Sequence, residues 1–509
     1  AAQDITLKTS SKETKTAGLY IDAKVSAEAS AGADAGKINV GGDPANAEVS
    51  GGVSADVSAG IRYKTEEESS TEGSVTNVTS SFKSGGNLTR NAENTIVDQG
   101  TQLEAGGDIN QSAREIKEIE ANDSTFSSKD SSSQDAKIGV GASASAEASV
   151  SKDGADADAS AGAGLRAKYE GSINSQSESA TTAVTTKYKS GGSINSKSEE
   201  KTTLIGTQFE SGGDINIEAG SLEYKAAKDT TSMSSDAKNM DAEIKVDLVG
   251  SVGGSLEASY GNEGESGSTS TARTGGINAG GNLNIKTTGD ASFEGTQIEA
   301  GGAADIDASG SVDFKAARDT SASNKSTIDA GVELSASKGG IGAAASAGYS
   351  QEDSTSSKAQ TGSIKAGSGG ISISAGKDVG FEGTALKSEG DTSIDAGGNV
   401  ILKAAKNTET TTSFGVEASI GAEVGKKGSA IEGSIGGSAA YANKVGSDAT
   451  SIESGGKVSI KGNNVVNQAA NIKAKEGTQV IGNEVKIKAE KSDISLGIQA
   501  EVSRSYGPK

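Results

Sequence analysis

Residues 138–169 read IGVGASASAEASVSKDGADADASAGAGLRAKY. Every second residue from Ile138 to Val150 is apolar. After Lys152-Asp153-Gly154 the apolar beat resumes, on odd numbers from Ala155 to Tyr169. The residues between are Gly, Ser, Glu, Asp, Arg and Lys, and strict alternation of this kind marks a strand with one apolar face. Asp153-Gly154 has the chemistry of a type I′ hairpin turn, which needs positive φ at both central residues. With that turn, partner numbers sum to 307, so that Val150 faces Ala157, Ala142 faces Leu165 and Ile138 faces Tyr169. Both strands then present their apolar residues on one face, and the register is self-consistent.

Variants of this hairpin recur. Their return strands run Val53 to Tyr63, Ala155 to Tyr169, Leu256 to Tyr260, Ile341 to Tyr349 and Ile431 to Tyr441, so that five end on a tyrosine: Tyr63, Tyr169, Tyr260, Tyr349 and Tyr441. The tip of the first contains Gly41-Gly42-Asp43-Pro44, and a last strand begins at Ile494. Between hairpins stands a second repeat, led by glycine pairs. Gly86 and Gly107, Gly192 and Gly213, Gly281 and Gly302, Gly369 and Gly390, and Gly456 and Gly477 are each 21 residues apart. A fixed period near twenty, with short alternating strands between Gly/Asn/Asp corners, reads as one coil of a β-helix. Gly86, Gly107, Gly192, Gly213, Gly281, Gly302, Gly369 and Gly456 are its expected corners. Each coil pair ends in a signature: Lys225-Ala226-Ala227-Lys228-Asp229-Thr230, Lys315-Ala316-Ala317-Arg318-Asp319-Thr320 and Lys403-Ala404-Ala405-Lys406-Asn407-Thr408. A Ser/Thr/Lys-rich stretch follows, and then the hairpin. The leading glycines repeat after 106, 89, 88 and 87 residues. The expected architecture is all-β: one continuous parallel β-helix solenoid of about five super-repeats, with a long Ala/Gly/Ser-rich antiparallel hairpin flanking or protruding from each. The approximate units are 1–78 (partial), 79–185, 186–274, 275–362, 363–450 and 451–509 (partial). The chain begins and ends inside a repeat, and the expectation is an internal segment of something longer.

Composition narrows the function. The 509 residues include 71 Gly and 2 Pro, 3% aromatics and no Cys, His or Trp. Bulky side chains are too thinly spread for a compact core, whereas a long, thin repeat structure needs few. Without His or Cys, a Ser-His-Asp or Cys-His arrangement is impossible and the usual zinc sites are excluded. The formal net charge of −21 disfavours nucleic acid, and no basic patch with interleaved aromatics is present. No apolar run is long enough for a transmembrane helix. The glycine pairs lack the context of a P-loop or dinucleotide fingerprint. Asp108 and Asp214 at Gly-Gly-Asp corners invite a calcium reading, but the corner residue becomes Asn282, Ala303 or Lys457 elsewhere, and these read as turn residues. The expectation is no enzyme, with no catalytic, metal or cofactor-binding residues and no cofactor.

Three fates of the hairpins stay open. They stack into a second sheet beside the coils, they contact a membrane or target-cell envelope, or they project into solvent. One-sided alternation over about ten residues is also the pattern of transmembrane β-strands. The tyrosines read as caps of the hairpin bases, ring against coil and hydroxyl in water, or else as a ligand-binding ladder.

The run Ser211-Gly212-Gly213-Asp214-Ile215-Asn216-Ile217-Glu218-Ala219-Gly220 resembles the hemagglutinin repeat of large secreted bacterial exoproteins. The Lys-Ala-Ala-Lys/Arg-Asp-Thr signature with its following hairpin is similar to the second repeat class of filamentous-hemagglutinin-like proteins, two-partner-secreted adhesins and contact-dependent growth-inhibition effectors. The resemblance covers nearly the whole chain. It implies a right-handed β-helix filament, export through an outer-membrane partner pore of a diderm bacterium, and an extracellular, cell-surface location. It further implies either an adhesin shaft with host or target-cell contacts and possible self-association, or a delivery segment whose hairpins engage a target outer membrane. Nothing in the chain resembles a secretion, receptor-binding or toxin domain.

Overall fold

The computed structural model describes residues 3–4, 12–35, 47–151, 154–249, 253–425, 428–489 and 494–506. Among these every regular element is a β-strand, and the strands sort into four sheets. Three are parallel and ten-stranded, and they form the walls of a β-helix of ten coils. Coil 2, for example, is Gln102–Ala105, Ile109–Ala113 and Glu115–Ile119, and coil 4 is Gln208–Ser211, Ile215–Ala219 and Ser221–Lys225. Alternation places one row of side chains inside. Ile109, Ile194, Ile215, Leu283, Ala304 and Ile371 follow one another up the interior, each facing the next along the sheet and each at most 2% exposed. On a second wall Tyr224, Phe293, Phe314 and Phe381 occupy successive coils. The rings of Phe293 and Phe314 stack at 4.7 Å, and those of Phe314 and Phe381 at 5.2 Å.

The glycine-pair corners work as stacking devices. A Cβ on Gly106, Gly191, Gly280 or Gly301 would lie 2.3–2.5 Å from the carbonyl oxygen of the glycine one coil below. The second glycine leaves room for an Asx side chain from the coil below. Asn87 Oδ1 accepts the Asp108 N–H (2.8 Å), Asp108 Oδ1 the Ser193 N–H (2.8 Å), Asp214 Oδ1 the Asn282 N–H (2.7 Å) and Asn282 Oδ1 the Ala303 N–H (2.8 Å). The Gly-Gly-Asp aspartates are thus occupied in joining coils. In the last unit the 21-residue spacing misleads. Glu476, not Gly477, donates to Gly456 O at the corner, while Gly477 faces Lys457 within a strand. One residue fewer in that coil moves the glycine off the bend. A second corner, between the third wall and the first, falls at Gly100, Gly206, Gly295 and Gly383, with φ of 59–66°, and in the last unit Ala469 takes it at φ 61°.

After every second coil the chain leaves the solenoid as a hairpin. Hairpin 1 is Lys12–Ala35 with Ala47–Asn77, hairpin 2 Ala121–Ser151 with Gly154–Val184, and hairpin 3 Ala227–Val249 with Gly253–Arg273. Hairpin 4 is Ala317–Ser337 with Gly340–Gln360, and hairpin 5 Ala405–Gly425 with Gly428–Asp448. All five, with Gln3–Asp4 and Ile494–Tyr506, pair edge to edge in one twelve-stranded antiparallel sheet. Strands of 21–31 residues reach roughly 70–100 Å at about 3.3 Å per residue. They are twice the expected length because the Ser/Thr/Lys-rich stretches are strand as well. Those stretches need no buried face, since each is hydrogen-bonded along both edges and Ser/Thr pairs link them, as Thr181 to Thr230 (2.6 Å) and Ser321 to Ser356 (2.7 Å).

The hairpin 2 register corrects the turn reading. Ser151 faces Gly154, Ala142 faces Ala163, Ile138 faces Ala167 and Ala136 faces Tyr169, so partners sum to 305 and not 307. A shift of two residues keeps every apolar residue on its face, so alternation cannot detect it. The observed register instead aligns three hairpins, with Ile138 facing Ile61 on one side and Ala167 facing Ile244 on the other. Asp153 and the Gly41–Pro44 tip lie outside the described residues.

Candidate functional site

The projecting sheet is the surface available for contact. Among the described residues, the apolar side chains of its strands are buried only where they join the solenoid, at Ala121, Ala183, Ala227, Ala317, Ala359 and Ala405, while further out Asp135 is buried against Arg62. There the Asx of the exit signature pins the neighbouring hairpin. Asp229 Oδ1 accepts the Ala183 N–H, Asp319 Oδ1 the Ala272 N–H and Asn407 Oδ1 the Ala359 N–H, each at 2.7 Å. Asp123 does the same for Asn77 at 2.7 Å, so Ala121-Asn122-Asp123-Ser124 is a further copy that sequence reading missed. An Asx two residues after the first strand alanine, followed by Ser or Thr, is the signal that would have found it.

Beyond the joint both faces reach solvent, and they differ sharply. On one, Ile61, Ile138, Ala167, Ile244, Leu256 and Leu334 face one another in line across six strands, continued by Ala343, Ala422 and Ile431. Ile138 is 68% exposed, Ile341 64% and Ile431 67%. On the other face the neighbouring line is Arg62, Lys137, Lys168, Glu243, Glu257 and Glu333, with Gly and Ser in adjacent lines. Glu257, Glu333 and Glu432 border a broad, shallow groove there, floored by Gly331, Ser346 and Gly421.

The five tyrosines all fall on the apolar face but not at the hairpin bases. Tyr169 faces Ala136, which also faces Tyr63, and the return strands run on to Asn77, Val184, Arg273, Gln360 and Asp448. That leaves 7 to 15 residues between each tyrosine and the end of its strand, roughly 23–50 Å. Capping against the coil is therefore ruled out by distance. The rings are half-buried or exposed, Tyr63 by 47% and Tyr349 by 38%.

The profile of the hemagglutinin repeat matches this chain four times, over residues 57–165, 167–330, 269–412 and 356–495. The chain belongs to the hemagglutinin-repeat family. Among relatives of this hemagglutinin-repeat chain, a protein named Hemolysin from Serratia marcescens is 28% identical over 469 residues, covering 82% of this chain and 28% of that protein. A Hemolysin from Proteus mirabilis is 29% identical over 214 residues, 38% of this chain and 13% of its own length. The chain thus spans less than a third of the relatives it matches. No solved structure matches it.

One stretch departs from the hemagglutinin-repeat pattern. Inward positions that hold Ile217, Ile285 and Ile306 in later coils hold Arg90, Gln111 and Ser196 in the first three, and Asp98 and Glu118 stand in line with Leu204, Tyr224 and Phe293. These polar groups bond to each other inside the solenoid. The Tyr188 hydroxyl donates to Glu118 and lies 2.9 Å from Asp98 Oδ2, Arg90 Nη1 donates to Asp98 Oδ1 (2.8 Å), and Arg90 also bonds Gln111. Glu118 Oε2 and Arg90 Nε have no partner. Burial, then the nearby Asp98 charge, pushes the Glu118 carboxyl up to about 8. Burial, then the Glu118 charge, raises the Tyr188 phenol well above its ordinary value. For Arg90 burial lowers the value, but Tyr188 and Asp98 outweigh it and the net shift is upward. Glu118 is fully buried and Asp98 is 5% exposed, while the Arg90 side chain is 17% exposed.

Proposed function

We propose that this chain is a non-catalytic shaft segment of a very large secreted cell-surface exoprotein, of adhesin or interbacterial-effector type, exported from a diderm bacterium through an outer-membrane partner pore. The observation that carries this reading is the use made of the polar side chains. The corner Asx residues join coils, the exit-signature Asx residues join hairpins, and the first-coil polar groups bond to one another inside the solenoid. Electron microscopy of recombinant segments with two, three and five units is the test. Each added unit contributes two coils, about 9.6 Å of length at about 4.8 Å per strand, and a particle that grows equally in all directions would overturn the shaft.

A second reading, a delivery segment whose hairpins engage a target outer membrane, is favoured by the uncovered apolar face and by the name Hemolysin of both relatives. Flotation of the chain with outer-membrane vesicles tests it. Failure to float at any salt concentration sinks it.

A further inference from the structure

The tyrosines sit where the apolar face changes character. Two residues toward the tip on the same strand and face stand Ile61, Ala167, Ala258, Ala347 and Ala439. Two residues toward the solenoid stand Thr65, Gly171, Asn262, Gln351 and Asn443. Three of the hydroxyls lean toward the solenoid. Tyr349 Oη donates to Gln351 Oε1 at 2.8 Å, Asn443 Nδ2 donates to Tyr441 Oη at 3.2 Å, and Tyr169 Oη lies 2.9 Å from where a Gly171 Cβ would stand. These three side chains therefore turn their polar ends away from the apolar zone, the orientation an amphipathic ring adopts at a boundary between hydrocarbon and water.

The boundary runs obliquely across the sheet. Tyr63 and Tyr169 share a line through Ala136. The Tyr169 line reaches Ala258, two residues short of Tyr260, and the Tyr260 line reaches Ala347, two short of Tyr349. The Tyr349 line reaches Gly437, four short of Tyr441. The accumulated eight residues, about 26 Å along the strands, accrue over eight strand spacings, about 38 Å, so the line departs from the perpendicular by about 35°. Tipward of it, the described strand residues of hairpins 1 to 5 carry no charge on this face; Lys338 stands at the tip of hairpin 4, and Arg504 of the last strand faces Ile435. Taking the eight residues from Ile341 to Tyr349 as its depth, the zone covers on the order of 1,000 Å². That exceeds the few hundred Å² a soluble monomer exposes and matches one side of a stable interface.

Building on the membrane-contact reading, we propose that this zone seats flat on a lipid bilayer, with the five tyrosines along its waterline. The opposite face, with Glu257, Glu333 and Glu432, stays in water, and the solenoid axis diverges by about 35° from the edge of contact. A lipid surface suits the zone better than a second copy. Two sheets packed face to face bury both faces alike and give no role to five ring-and-hydroxyl side chains along an oblique border, whereas aromatic residues gather at membrane–water interfaces. The described strands of hairpins 1 to 5 put no charge in the zone, so apolar contact and not headgroup charge carries the binding, which suits a chain of net charge −21.

The chain has no cysteine, so single-cysteine variants carry one spin label each. Labels go on the apolar face tipward of each tyrosine (Ala167→Cys, Ala258→Cys, Ala347→Cys, Ala439→Cys), baseward (Gly171→Cys, Asn262→Cys, Gln351→Cys, Asn443→Cys), and on the opposite face (Ser346→Cys). Relaxation by oxygen and by a water-soluble nickel complex is read with and without phosphatidylcholine vesicles, alongside flotation and the far-ultraviolet spectrum of each variant. The expected result is lipid exposure at the four tipward sites and water exposure at the four baseward sites and at Ser346→Cys. A border at the same perpendicular line in every hairpin, with the wild type still floating, overturns the tyrosine waterline but not membrane contact. A wild-type chain that does not float overturns both. Tipward labels immobilised without lipid in a dimer assign the face to a second copy and overturn the proposal.

Discussion

Glu118 makes the first coils lose stability as pH rises. Its carboxyl is fully buried, accepts the Tyr188 hydroxyl and leaves Oε2 unpartnered. In the unfolded chain it titrates near the ordinary glutamate value of 4.5, and burial raises it to about 8 in the folded coils. Between those values the folded state holds a proton that the unfolded state has lost, so stability falls as pH rises through the window and levels off above it. The slope is roughly 1.4 kcal/mol per pH unit, on the order of several kcal/mol across the window. Repeat structures open locally, so the loss is confined to coils 1 and 2. Hydrogen exchange of residues 81–119 checks this, with residues 276–315 as reference for the intrinsic pH dependence of exchange. From pH 5 to 8 protection of residues 81–119 should fall relative to the reference, and Glu118→Gln, which cannot ionise, should abolish the difference. Equal pH dependence of the two segments in the wild type, or its persistence in Glu118→Gln, would refute the reasoning.

Oxidation of paired cysteines tests the hairpin 2 register. Ile138→Cys with Ala167→Cys should form a disulfide readily and Ile138→Cys with Tyr169→Cys should not, as read by non-reducing electrophoresis after folding, because only directly facing strand residues bring their Cα atoms within disulfide reach. Phe314→Ala removes the middle ring of a three-ring stack, 3% exposed, and should cost about 3–5 kcal/mol. That loss should appear as faster exchange centred on residues 291–315 and a lower denaturant midpoint. Ala469→Gly relieves a positive φ at the last Gly-type corner and should add roughly 1 kcal/mol, read as slower exchange in residues 451–488.

Much of the solenoid is legible in the sequence because its rules are local. A Cβ at Gly106 or Gly301 collides with the coil below, so those glycines recur at the coil period and mark it. The apolar alternation of hairpin 2 likewise declares its face. What is not legible is whatever depends on neighbours distant in the chain. The hairpin 2 register is set by Ile61 and Ile244, which belong to other hairpins. The strand character of the Ser/Thr-rich stretches comes from edge-to-edge pairing, not from a buried pattern. The tyrosine border is invisible in any single hairpin, because it exists only once five registers are known. Glu118 betrays itself in sequence only after it is aligned with Leu204 and Tyr224, and its coil lacks the regularity to make that alignment obvious.

The ratio of two coils to one hairpin follows from strand spacing. Each unit adds two strands to every parallel sheet and two to the antiparallel sheet. Strands lie about 4.8 Å apart in both, so solenoid and projecting sheet each advance about 9.6 Å per unit. A hairpin after every coil would force two strands into the width of one, and a hairpin after every third would leave a strand-wide gap. At two to one, each hairpin leaves the solenoid already beside its neighbour, and Asp229, Asp319 and Asn407 fasten the joint. The solenoid therefore supplies the alignment that an isolated hairpin would have to obtain from its own side chains. The Ser/Thr stretches pair on that basis without burying apolar surface. By the same reasoning Ile138, Ile341 and Ile431, each more than three-fifths exposed, are not needed to hold the strands together. Large apolar side chains that the strand pairing does not need gather on one face of the sheet, as the proposed lipid contact requires.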